Sequence, residues 1–373
     1  TAAPSGPPPP AAPTNLTELV TSVTDPPGLP DDATVKYTWT APVNTGGSPI
    51  TDYLWSDDDV TYQSTGSGTV TELTVDFSAT SGIVGQPFTF YIKAKNNAGS
   101  ISPSVSVTLA GFTPGPITNN ANFLAAIDGY LGTPVQKEAV LKAYYNIEDW
   151  NVTQVTSMAN AFENGRALQA GGGILNSTTF NQDISSWDVG TVQNMSSMFE
   201  GAAAFNQSLT WTMDPTLNSL AYMFKNATAF NGTLNWAQNS GTTAINCTQM
   251  FFEATNFTGL GLLGWQGTGL VSRIGNMDSM FKNATAFNQD LSNWRFAGTG
   301  GSAINLSEND LNSIFDGATA LSNTLGASIV VMAYAGKGTL TELSWKDVAD
   351  YVYNLRGTLG STPQAIPNFY ENG

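Results

Sequence analysis

The sequence predicts a multidomain chain, an all-β sandwich followed by an α/β repeat body with helical caps. Short alternating apolar runs, punctuated by Pro, Gly, Asn and Asp, dominate the N-terminal third. After them a phrase recurs. It reads FNQDISSWDVGTVQNMSSMFEGAAAFNQSLTW from Phe180 to Trp211, returning as MFKNATAFNGTLNW (Met223 to Trp236) and MFKNATAFNQDLSNW (Met280 to Trp294). So short a unit cannot bury its own apolar face, so neighbouring copies must stack into one shared core. Stretches of near-helical periodicity lie on either side of the repeats.

Composition narrows the function. The chain has 373 residues, of which 13 are basic, 29 acidic and none histidine, for a net charge of −16. A nucleic-acid binder needs a basic stripe, and none is visible. Without histidine there is no Ser-His-Asp triad and no histidine metal site. Asp183, Asp188 and Glu200 recur too irregularly to form the paired carboxylates of a glycosidase. The single cysteine, Cys247, takes a place that other copies give to Met or Leu, so it is expected to be a small buried apolar residue. The longest apolar run, Ile329 to Ala335, is far too short for a bilayer, so no membrane insertion is expected. No signal peptide is visible, and the opening at Thr1 suggests a processed or partial product. Asn, Thr, Ser and Gly supply most of the polarity, which suits an extracellular, cell-surface or virion-surface chain.

Residues 1–12 (TAAPSGPPPPAA) read as a proline-rich tether. Residues 13–112 form the sandwich, with strands at Val35–Trp39, Phe88–Ile92 and Val105–Leu109 and turns at Asn44 and Asn97. YTWTAPVNTGGSPITDY and FYIKAKNNAGSISPSVSVTL resemble a fibronectin type III domain. The resemblance implies that Trp39 packs in the core, that Tyr53 starts a strand, and that Ala94, Asn96 and Gly99 turn the last hairpin. Asp57, Asp58 and Asp59 are the one dense acidic cluster. They offer part of a Ca²⁺ ligand set, though a solvated turn accounts for them as well.

Residues 113–120 read as a linker and 121–146 as a helical N-terminal cap, with Thr133 as N-cap and Pro134 in the first turn. Each copy within 147–325 divides into two halves. The first reads as strand (Ile147, Trp150, Val152; Ile184, Trp187, Val189; Leu291, Trp294, Phe296). The second reads as helix, because Val192, Met195, Met198, Phe199, Ala202 and Phe205 fall on one helical face. Asn181, Asn206, Asn231 and Asn288 follow phenylalanines and are expected to bond backbone groups of neighbouring turns. Residues 326–373 read as a C-terminal cap with a helix beginning after Ser344.

IEDWNVTQVTSMANAF and FNQDISSWDVGTVQNMSSMF resemble the BspA-like surface-protein repeat, a leucine-rich-like solenoid. The resemblance covers about residues 121–325. Insertions such as Ala170 to Thr179 depart from the pattern and should emerge as loops. The resemblance implies a non-enzymatic adhesive or structural protein that needs no cofactor. Its expected partners are a protein or glycan on a surface, held on the exposed face beside the tryptophans at Asn151, Asp188, Thr212 and Arg295. The alternatives are an assembly subunit engaging other copies in a capsid, fibre or filament, and an accessory module of a polysaccharide-acting enzyme.

Overall fold

A computed structural model describes residues 7–24, 32–77, 87–112, 114–238, 241, 243–266, 270–289 and 314–320. The expected helix after Ser344 and the whole of 326–373 lie outside them. The chain forms two compact units, one comprising Thr1–Gly115 with Gly132–Trp150, the other Pro116–Leu131 with Asn151–Gly373. Most of the regular structure is β, with few helices.

The first unit is a two-sheet, fibronectin type III-like sandwich. Strands β1 (Thr14–Thr24), β2 (Asp32–Thr40) and β5 (Glu72–Phe77) form one antiparallel sheet in the order β1-β2-β5. Strands β3 (Ile50–Ser56), β4 (Gln63–Ser64), β6 (Phe88–Asn96) and β7 (Val105–Leu109) form the other in the order β4-β3-β6-β7. Alternation along β2 and β6 sends Val35, Tyr37, Trp39, Phe90, Ile92 and Ala94 inward. Tyr37 stacks on Phe90 with ring centroids 3.9 Å apart. Trp39 meets Tyr53 edge-on at 5.2 Å. Gly99 turns the last hairpin with φ +82°, a conformation that glycine adopts without a Cβ penalty. Asn96 is buried beneath that turn, and its Oδ1 accepts from Ser100 N at 3.0 Å.

The expected tether needs correction over residues 7–12, which pack on this sandwich. Ala11 N donates to Asn44 O at 2.8 Å and Ser100 Oγ to Pro7 O at 3.1 Å. Pro10 and Pro13 are buried. A proline run that finds an apolar bed and a partner for its few amide groups docks, whatever its composition suggests.

The segment expected as one N-terminal cap divides between the units. Helix α1 (Asn120–Tyr130) is capped by Asn119, whose Oδ1 accepts from Asn122 N at 2.9 Å, and belongs to the second unit. Helix α2 (Pro134–Tyr144) starts with the expected Thr133-Pro134 pair, completed by Gln136 into a reciprocal capping box. It belongs to the first unit, where Glu138 accepts from Val20 N at 3.1 Å. Ile147–Asp149, expected as strand, is a 3-10 turn.

In the second unit the repeat copies carry no α-helix among the described residues, which corrects the α/β expectation for the repeats. The Met–Phe phrase is a run of tight turns. Met198, Glu200 and Ala202 donate to carbonyls three residues back, those of Met195, Ser197 and Phe199. The alternate residues Met195, Ser197, Phe199 and Gly201 donate to Ser219, Ala221, Met223 and Lys225 of the next copy at 2.8–2.9 Å. Leu220, Tyr222, Phe224 and Asn226 repeat this toward Asn246, Thr248, Met250 and Phe252. Cys247, Gln249, Phe251 and Glu253 repeat it toward Asn276, Asp278, Met280 and Lys282. One N–H in two closes a turn, and the other pairs neighbours in parallel.

Left-handed residues enforce this path. Ser197 and Gly201 have φ +54° and +71°, Tyr222 and Asn226 +62° and +59°, Gln249 and Glu253 +51° and +57°. A left-handed residue every fourth position cannot continue a right-handed helix. Parallel strand pairs are correspondingly short: β8 (Thr212–Met213) with β9 (Ala237–Gln238), and β10 (Ile245–Asn246) with β11 (Ile274–Asn276).

Two files of phenylalanine fill the interior. Phe162, Phe199, Phe224, Phe251, Phe281 and Phe315 stack with successive centroids 5.4–5.6 Å apart. Phe180, Phe205, Phe230 and Phe257 stack at 5.5–6.0 Å, and Phe287 continues the file at 6.3 Å with its ring tilted by 32°. Within a copy the two rings lie 4.0–4.2 Å apart. Trp187, Trp211, Trp236 and Trp265 are buried too, and Trp211 and Trp265 donate Nε1 to Ile184 O and Leu234 O of the preceding copies.

Copies approach closely enough to forbid side chains at particular places. A Cβ on Gly232 would stand 2.1 Å from the Gln207 carbonyl oxygen. Other copies put Gln at this position (Gln182, Gln207, Gln289), so a consensus argument favours Gly232→Gln. We expect the opposite. Gly232→Gln should lose about 1–3 kcal/mol through overpacking, read as a lower urea midpoint at unchanged m-value.

Candidate functional site

Equivalent positions in successive described copies lie in columns, so a described surface of the copies presents rows with one side chain per copy. Asn151, Asp188 and Thr212 each follow a buried tryptophan and are exposed. Two of them spend their oxygens locally. Asn151 Oδ1 accepts from Thr153 N (3.2 Å) and Thr153 Oγ1 (2.7 Å), and Asp188 Oδ1 accepts from Gly190 N at 3.0 Å. These are turns in which a side chain stands in for a backbone carbonyl. Thr212 is held by its backbone, paired with Ala237 in the β8–β9 ladder. Arg295 lies outside the described residues.

The expected asparagine rungs form at Asn181, Asn206 and Asn231. Asn181 Oδ1 accepts from Asn206 N (2.8 Å), Asn206 Oδ1 from Asn231 N (2.6 Å), and Asn231 Oδ1 from Thr258 N (3.0 Å) and Thr258 Oγ1 (2.8 Å). They tie copies together through groups that would otherwise lack partners.

A column of charge went unread in the sequence. Aligned on the phenylalanines, Glu163, Glu200, Lys225, Phe252, Lys282 and Asp316 occupy one position. Lys225 pairs with Glu200 at 2.8 Å and Lys282 with Asp316 at 2.9 Å, each across neighbouring copies. Glu163 faces Glu200 instead. Burial, and secondarily the Glu200 charge, pushes its carboxyl above the usual range. Such half-exposed pairs contribute little stability but penalise a slipped register.

Two buried guanidinium groups were also unread. Arg166 binds Asp128 of α1 at 2.5 Å and the carbonyls of Asn160 and Ala161. Arg273 donates to Thr243 O (2.8 Å) and Leu217 O (2.6 Å), and burial pushes its pKa down. Arg166 holds carbonyls of its own copy, whereas Arg273 reaches back 30 and 56 residues, and a lone Arg between repeats gives no sequence signal of either.

No group of three or more His, Cys, Asp or Glu side chains is placed to hold a metal ion among the described residues. In the acidic triplet, Asp58 Oδ1 accepts from Thr61 N (2.7 Å), Val60 N (2.8 Å) and Ser56 Oγ (2.8 Å), and these bonds hold its carboxyl at about 2. Asp59 accepts from the Tyr62 hydroxyl and lies 3.6 Å from Lys93 Nζ, which sits over the Tyr62 ring. These carboxylates close a turn and anchor a lysine. Cys247 is fully buried, and desolvation pushes its thiol up to about 12, so it carries no thiolate at neutral pH. No described helix is long and apolar enough to cross a membrane.

A family model described as "Mycoplasma protein of unknown function, DUF285" matches residues 137–265 and 241–328, together just over half of the chain. The chain belongs to the DUF285 family. No curated protein matches it. Among solved structures, a Fn3-like protein from Clostridium thermocellum is similar at 22% identity, over 27% of the DUF285 chain and 93% of its own, with TM-score 0.18. The fibronectin type-III domain of human fibronectin type III domain containing protein 3 is similar at 19% identity, over 30% and 93%, with TM-score 0.18. The Clostridium perfringens spore cortex lytic enzyme SleM is similar at 19% identity, over 28% and 29%, with TM-score 0.20, so the DUF285 chain spans less than a third of that enzyme. None of these figures bears on what the DUF285 chain binds or does.

Proposed function

We propose that this DUF285 chain is a non-catalytic adhesive or structural protein of a cell or particle surface. In this reading a fibronectin type III-like spacer carries a BspA-like, leucine-rich-like solenoid, and the solenoid holds a protein or glycan. The supporting observation is the cross-copy ladder, in which one amide in two bonds the next copy. That ladder fixes equivalent side chains in rows, and a row suits a partner that is itself extended. The exposed residues after the tryptophans are short and mostly neutral, matching hydroxyl and amide chemistry rather than phosphate.

The test uses the full chain on a printed glycan array and on immobilised matrix proteins. Asn151→Ser, Asp188→Ser and Thr212→Arg are combined, because serine keeps the turn acceptor that Asn151 and Asp188 provide. Binding to the responding spots should fall about tenfold or more while circular dichroism stays unchanged. Unaltered binding would remove this face from the assignment. Turnover of an arrayed polysaccharide would replace adhesion with the enzyme-module reading.

A further inference from the structure

The sequence holds eleven Asn-x-Ser/Thr sequons, and the structure treats them very differently. In three, at Asn151, Asn176 and Asn246, the motif closes on itself. Each Oδ1 accepts from the N–H of its own threonine (3.2, 3.2 and 3.0 Å) and from the threonine hydroxyl (2.7 Å in all three). All three asparagines are exposed. Their Nδ2 atoms have no protein partner among the described residues.

Most of the other described sequons have their parts committed elsewhere, and Asn194 closes only half of the turn. Asn206 and Asn231 are rungs, whose Oδ1 atoms hold amides of the next copy. The Thr258 hydroxyl that should serve Asn256 is given to Asn231. Asn226 and Asn283 are left-handed, Asn226 Oδ1 is buried, and Asn283 Nδ2 points to Glu253 at 3.5 Å. Asn15 donates its Nδ2 to Thr40 Oγ1 at 3.2 Å, and the Thr17 hydroxyl pairs with Thr38. Asn194 Oδ1 takes only the Ser196 amide, at 2.9 Å. Asn305 lies outside the described residues.

The geometry points to Asn151, Asn176 and Asn246 as the N-glycan acceptors of this chain. The co-substrate is an oligosaccharide activated as a glycosyl pyrophosphate. Nδ2 attacks the anomeric carbon, the Nδ2–C1 bond forms, and the C1–O bond breaks. The pyrophosphate leaves with that electron pair, and the amide proton passes to a base of the transferase. In the closed turn the carboxamide is tethered through its oxygen alone, so a sugar on Nδ2 displaces no bond of the fold. On a rung asparagine the sugar would crowd the amide of the next copy.

The test is secretion of the full chain from a eukaryotic host that carries out N-glycosylation. Glycopeptide mass spectrometry after enzymatic release in ¹⁸O water then marks each formerly occupied asparagine. Label is expected at Asn151, Asn176 and Asn246, and little at Asn206, Asn231 or Asn226. Thr153→Ala, Thr178→Ala and Thr248→Ala should each erase only their own site, and Thr→Ser at the same positions should retain it. Absence of label from the three turns, or equal label on the rungs, would overturn the assignment. Asn151 also belongs to the candidate binding face, so the two readings are separated at Asn176 and Asn246, which do not: label at those two turns stands or falls whatever the array shows.

Discussion

Phe224→Ala should cost the second unit about 3–5 kcal/mol from cavity and transfer terms alone. Phe224 sits mid-file, with Phe199 at 5.4 Å, Phe251 at 5.6 Å and Phe230 of its own copy at 4.0 Å. Each offset ring pair adds about 0.5–1.5 kcal/mol beyond burial. The surroundings cannot collapse into the space, because ladder bonds on both sides fix the backbone of Phe224 and of its neighbours. Phe224→Leu keeps most of the apolar volume and should lose only about 1.5 kcal/mol or less. Urea titration followed by tryptophan fluorescence measures both. An alanine variant within about 1 kcal/mol of the parent would be incompatible with a packed ring file.

The contrast between these files and the absent helices shows how far the sequence could be read. Positions 195, 198, 199, 202 and 205 were expected to face inward, and Met195, Met198, Phe199, Ala202 and Phe205 are all buried. The spacing matches a helical face because turns that close every three or four residues return side chains to the interior at nearly the helical period. Periodicity therefore reported burial correctly and the backbone wrongly. One signal spoke against a helix. The column Gly201, Asn226, Glu253, Asn283 and Gly317 is all left-handed, and four of its five members are the residue types that tolerate that conformation. Tyr222 and Gln249, equally left-handed, give no such hint, because the ladder imposes their φ rather than local preference.

At the candidate site, legibility stopped at exposure. That Asn151, Asp188 and Thr212 face solvent followed from their places beside buried tryptophans. That Asn151 and Asp188 bind their own turns did not, since Asn-Val-Thr and Asp-Val-Gly look identical whether the oxygen serves a ligand or the backbone. The asparagine rungs were readable because one residue recurs after one phenylalanine, and only stacking gives such recurrence a use. The charge column was equally periodic, but it shows only when copies are aligned on their phenylalanines and the signs compared down the column.

The second large effect concerns Asp128, for which recurrence offers no guide. The Asp128–Arg166 pair is nearly enclosed, with side-chain exposures of 12% and 7%. Asp128 Oδ2 also accepts from Gln169 N at 2.6 Å, so one carboxylate ties α1 to the base of the hairpin that leaves at Arg166 and returns at Leu175. Asp128→Ala strands a buried guanidinium and orphans an amide, a loss of about 3–5 kcal/mol if the fold around it holds. It need not hold. Beyond this pair, α1 is fastened to the first copy by Asn120, which accepts from Thr156 N (2.9 Å) and Ser157 N (3.1 Å), and to the second by Phe123, edge-on to Trp187 at 5.6 Å. Undocking α1 sets a ceiling on the damage, so the measured global loss should fall below the intrinsic cost. Amide exchange should accelerate in α1 and at Gln169 while the files from Phe199 to Phe281 stay protected. Because the pair is desolvated, raising salt from 0.1 to 1 M should change its contribution little, unlike that of Lys225–Glu200. The apolar double variant Asp128→Leu/Arg166→Met should recover much of the stability, since removing both charges leaves neither unpaired. If the double variant is as unstable as Asp128→Ala, the carbonyls that Arg166 holds at Asn160 and Ala161 contribute more than the ion pair.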